Sequence, residues 1–78
     1  MPIVLRQRGF DFKINTDDHE PMHVHVWYQG NLLVVNFHNE VAVRNNYGFN
    51  NNEIRRVKRI IGENQAYFQQ RWREIHNE

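Results

Sequence analysis

The sequence predicts an α+β domain, a small and mainly antiparallel sheet of about four strands packed on one face by a C-terminal amphipathic helix. Three observations predict it. Apolar and polar residues alternate through 10–15 and again through 23–28, the two-residue period of a strand. Gln29-Gly30-Asn31 separates the second run from an apolar run at 32–37, as the turn of a hairpin would. Further on, Ile54, Val57, Ile61, Phe68, Trp72 and Ile75 fall on one stripe at helical spacing.

Ile3-Val4-Leu5 is a β-branched and apolar run that ends at Arg8-Gly9, a turn signal. Phe10, Phe12 and Ile14 then form the buried side of a strand, and the polar stretch 15–18 is rich in turn formers. In the next strand Val24, Val26 and Tyr28 share one face, while His23, His25 and Trp27 share the other. Gly30-Asn31 is the expected centre of the hairpin turn, since glycine accepts positive φ. Residues 32–37 are apolar on both faces for most of their length, as a central strand is. Val41-Ala42-Val43 is a short apolar run, and 44–52, dominated by asparagine, reads as loop. Asn50 and Glu53 have the spacing of a capping box opening the helix. Gly62 costs roughly 1 kcal/mol relative to alanine within the helix and is a candidate kink. The tail 74–78 is expected to fray.

Seventy-eight residues make one domain, 1–78. A core of that size typically supplies only ~3–5 kcal/mol, which favours a homodimer or a standing partner. The chain has no cysteine, which excludes disulfides and thiolate metal sites and points to a cytoplasmic protein. No apolar run approaches a membrane span, so no membrane association is expected. The formal charge of +1 puts any electrostatic argument on local clustering.

The opening Met1-Pro2-Ile3-Val4-Leu5, the segment His19-Glu20-Pro21-Met22-His23-Val24-His25-Val26, the glycine-centred turn and a helix ending near Trp72 resemble the domain-of-unknown-function 4160 family. That family consists of small bacterial proteins whose signature segment reads His-x-Pro-Pro-His-x-His. Met22 replaces the second proline here, which lessens the rigidity two prolines would give. Members often occur beside another small protein, a layout similar to toxin–antitoxin pairs. The resemblance implies a partner encoded nearby more strongly than it implies a chemistry.

The residues admit several readings of the histidines. His19-Glu20-Pro21-Met22-His23 matches the H-E-x-x-H of zinc proteases, but that chemistry needs a helix and Pro21 opposes one. His23 and His25, two apart on a strand, stand roughly 6.6 Å apart at their α-carbons and could converge on a metal. His19 or Glu20 would have to supply a third ligand, and with no fourth in view neither metal nor cofactor is expected. As an acid–base pair, with His19 or Glu20 assisting, His23 and His25 could instead cleave RNA without metal. The bland alternative is a histidine- and tryptophan-bearing sheet face that contacts another protein.

Arg55, Arg56, Lys58 and Arg59 crowd the first turns of the helix, where the dipole disfavours cations by ~0.3–1 kcal/mol. Either Asp17, Asp18 or Glu40 neutralises them, or an acidic partner or phosphate backbone does. Gln65, Gln69, Gln70 and Arg73 could extend that surface. The leading expectation is a module that docks a partner protein through the His/Trp face, Trp27 included. The alternative is a small ribonuclease using His23 and His25, with the basic helix holding RNA.

Overall fold

Two tight hairpins set the sheet. At both, an L residue followed by glycine takes positive φ: Arg8 and Gly9 (54° and 84°), then Gln29 and Gly30 (49° and 81°). Two consecutive positive φ values define the turn whose twist suits antiparallel strands. The second turn is centred on Gln29-Gly30, one residue earlier than the sequence suggests, because Tyr28 pairs directly with Asn31.

The structure, a computed structural model, describes residues 3–77. Met1 and Pro2, which open the family-like N-terminal run, and Glu78 lie outside the described residues. Five strands, β1 (Ile3–Gln7), β2 (Phe10–Lys13), β3 (His23–Tyr28), β4 (Asn31–Asn36) and β5 (Ala42–Tyr47), lie in sequence order as one antiparallel sheet. The sheet therefore has one strand more than the sequence suggests. The expected loop at 44–52 begins as β5, whose residues are all exposed. Such an edge strand carries little apolar signal.

The capping box forms as expected: Glu53 N donates to Asn50 Oδ1 (2.9 Å) and Asn50 N to Glu53 Oε1 (3.0 Å). The expected single helix is two, α1 (Asn51–Glu63) and α2 (Gln65–His76). The break falls at Asn64 (φ −122°, ψ 21°) rather than Gly62, which stays inside α1. The tail does not fray through 74–76: α2 continues to His76, and Asn77 closes it in the left-handed conformation.

Val57, Ile60, Ile61, Phe68 and Trp72 are buried against Phe10, Phe12, Val24, Val26, Leu33 and Val35 of the sheet and against Ile14 and Phe37 just beyond β2 and β4. Phe68 sits between Phe12 and Phe37, with ring centroids at 5.6 and 5.7 Å. The two ends of the sheet differ. The hairpin turns and the start of α1 lie at one end, and the 14–22 and 37–41 connections at the other. There α2 is fastened by side-chain bonds: Gln65 Nε2 donates to Phe37 O and Asn39 O, Gln69 Nε2 to His38 O, and Tyr67 Oη to Val4 O. These amides are spent on loop carbonyls, so Gln65 and Gln69 do not extend a docking surface.

Candidate functional site

Strand register puts one row of side chains across the whole face that the helices leave uncovered. Arg6 pairs with Asp11, Asp11 with Trp27, Trp27 with Leu32, and Leu32 with Tyr47, so the row crosses all five strands. Directly paired residues share a face. Arg6 Nε meets Asp11 Oδ1 at 3.3 Å, Lys13 Nζ lies 5.9 Å from the Trp27 ring, and Trp27 and Tyr47 remain 38% and 59% exposed. The face assignment of the two tryptophans holds: Trp72 is fully buried and Trp27 is not.

His23 departs from the expected exposure, while His25 keeps the face of Trp27 and is half-buried. His23 is only 6% exposed, and its ring lies 5.5 Å from that of Trp72, because α2 reaches the end of the sheet where β3 begins. The loop between β2 and β3 folds back over this end and delivers Asp18, one of three carboxylates the sequence offered as a neighbour of the basic helix. Asp18 Oδ2 stands 3.6 Å from both His23 Nε2 and His25 Nδ1. The loop holds it there by reciprocal bonds, Asp18 N to Asn15 O (3.2 Å) and Asn15 N to Asp18 Oδ2 (3.0 Å). His19 and Glu20, the expected assistants, are exposed and not part of this cluster among the described residues.

The hydrogen-bond network assigns the His23 tautomer. Nδ1 lies 2.8 Å from Pro21 O, and two lone pairs at that distance would repel, so Nδ1 carries the proton and donates it. Nε2 is turned toward Asp18. Arg44 Nη1, a donor only, stands 3.3 Å from Nδ1 and makes no hydrogen bond there once Nδ1 carries the proton. The register shift between Val34 and Val35 makes Arg44 the extra residue of a bulge, which re-aims its side chain. Burial pushes the His25 imidazole below the ordinary histidine range; Asp18 and Asp17 oppose the shift, and His23 and Arg44 reinforce it. His25 is therefore neutral at neutral pH, and its buried Nδ1 has no hydrogen-bond partner.

The basic residues lie elsewhere. Arg55, Arg56 and Arg59 line a shallow recess with Asn52, and Arg56 and Arg59 a second one with Gln7, Arg8, Ile60 and Glu63, both at the hairpin end of the sheet. Among the described residues no carboxylate pairs with Arg55, Arg56, Lys58 or Arg59. The histidine cluster and the basic start of α1 thus occupy opposite ends, and the structure does not bring together the two parts a ribonuclease would combine. Sequence reasoning missed Asp18 as a neighbour of the histidines. The Asn15-x-x-Asp18 spacing, which favours a side-chain-closed turn, was the available signal.

No curated protein and no solved structure matches the chain. Residues 9–73 match the sequence profile of the family described as a domain of unknown function (DUF4160). The match spans the sheet from β2 onward, the loop carrying Asp18, both histidines of the cluster and Trp72. This chain belongs to the DUF4160 family.

Proposed function

We propose that the protein is a cytoplasmic partner-binding module that docks a small protein encoded beside its own gene, in a toxin–antitoxin-like pair. The observation that carries this reading is the uncovered row Trp27–Leu32–Tyr47, flanked by the Arg6–Asp11 ion pair. Both helices pack on the opposite face, so nothing among the described residues of this chain covers the row. Tryptophan, tyrosine and arginine dominate the energetics of protein interfaces, and here an apolar centre has a charged rim. No helix is long and apolar enough to cross a membrane. A ribonuclease has less support, since His23 is buried and both imidazoles turn toward Asp18 rather than toward the basic helix.

Co-expression with the product of the adjacent reading frame tests the reading. A stoichiometric complex is expected, and Trp27→Ala or Tyr47→Ala should weaken it roughly thirtyfold or more, the loss of a hot-spot side chain. No complex, or one indifferent to both substitutions, overturns it. Self-association through the same row would show as a dimer in sedimentation that Trp27→Ala dissolves, and would replace the nearby-gene partner with a second copy.

A further inference from the structure

We infer that Asp18 Oδ2, His23 Nε2 and His25 Nδ1 are a three-ligand site for a divalent first-row transition ion of the zinc class. The three atoms lie within 4.8 Å of one another, and the two carboxylate–imidazole separations are 3.6 Å. Ligands about 2.0–2.1 Å from a tetrahedral ion stand roughly 3.3 Å apart, so the two carboxylate–imidazole separations need close by only a few tenths of an ångström, and the two imidazoles from within 4.8 Å. The same 3.6 Å is too long for a hydrogen bond, and direct Asp–His pairing therefore does not satisfy these atoms. His25 Nδ1 is buried with no hydrogen-bond partner, a position that costs free energy unless something occupies it.

The surrounding bonds orient each ligand as metal sites require. The Nδ1 proton of His23 is held by Pro21 O at 2.8 Å, which leaves Nε2 for an ion. Asn15 N fixes Asp18 Oδ2 at 3.0 Å while leaving that oxygen a second lone pair. Two imidazoles and one carboxylate favour zinc, iron, cobalt or nickel over magnesium or calcium, which prefer all-oxygen shells. Arg44 works against any cation here; its guanidinium lies 3.3 Å from His23 Nδ1, the ring nitrogen that does not face Asp18. Asp17 adds a second carboxylate to the local field. The expectation of no metal rested on the lack of a fourth ligand, with His19 or Glu20 as the third; Asp18 takes that third place instead. Three protein donors leave the fourth position open, as in exchangeable or reactive sites rather than closed structural ones.

The test uses the full chain, untagged and stripped with a chelator, with zinc chloride as the probe. One equivalent should bind, and the melting temperature should rise by roughly 10 °C or more at a hundredfold excess over Kd, reversed by chelator. Substituting cobalt should give visible d–d bands of a low-coordinate nitrogen–oxygen site. His25→Ala and Asp18→Asn should each weaken zinc by about a hundredfold or more, beyond what outer-shell losses produce. His19→Ala and His38→Ala should leave it unchanged. Circular dichroism of the metal-free variants checks folding; if His25→Ala unfolds, the isosteric Asp18→Asn decides. Absence of a chelator-reversible shift overturns the proposal. So does binding that survives Asp18→Asn or follows His19 or His38.

Discussion

Trp72 and Trp27 are the same side chain in two environments, and they divide the energetics of the domain. Trp72 is fully buried between Phe37, His23 and His76, with ring centroids at 6.3, 5.5 and 4.1 Å. Trp72→Ala should cost about 3–5 kcal/mol, comparable to the whole stability of a domain this size, and leave the chain largely unfolded. Trp27→Ala removes a partly exposed ring and its Lys13 contact, and should cost under about 2 kcal/mol. Urea titrations of the two variants check the contrast; a cooperative transition retained by Trp72→Ala and lost by Trp27→Ala would refute it. This division is legible in the sequence, because periods of two and 3.6 assign Trp27 to the polar side of a strand and Trp72 to the apolar side of a helix. The position of Asp18 is not. A loop residue has no period, and the reciprocal bonds with Asn15 hold its carboxylate at the histidines.

At the scale of elements, local chemistry specifies the boundaries. The Asn50–Glu53 box satisfies two backbone amides at the start of α1, so Asn50→Ala should destabilise by ~1 kcal/mol and lower the melting temperature by about 4–8 °C. Gln29 holds a left-handed φ that asparagine adopts more readily, and Asn-Gly is the preferred pair for this turn. Gln29→Asn should therefore raise stability, by ~0.5 kcal/mol, read as a shift of the denaturation midpoint at unchanged slope. The capping box and the hairpins could be read from sequence because each is a short pattern with one geometry. β5 could not: Arg44, Asn45 and Asn46 have low strand propensity, and pairing with β4 overrides it. The helix break escaped for a related reason. Gly62 is the weaker helix former, yet Asn64 ends α1, its Nδ2 donating to Ile60 O at 2.7 Å and its backbone N–H to Ile61 O at 3.1 Å.

For the whole molecule, the uncovered sheet face carries two surfaces side by side on β3. Trp27 anchors the aromatic row near the hairpin end, and His25, two residues earlier on the same face, belongs to the cluster at the other end. α2 secures the cluster end through Trp72 and its bonds to the 37–39 loop, while the row depends only on the sheet. The two surfaces should therefore respond separately to mutation. Trp27→Ala should lose the partner complex and keep one equivalent of zinc with unchanged affinity. Asp18→Asn should lose zinc and keep the complex, measured with chelator present throughout. Titration calorimetry of both variants against both ligands separates these effects. If Asp18→Asn also dissolves the complex, and zinc restores it only in the unsubstituted protein, the open fourth position of the ion is the partner's docking point. In that case the metal and the aromatic row form one binding surface, and the partner itself supplies the fourth ligand.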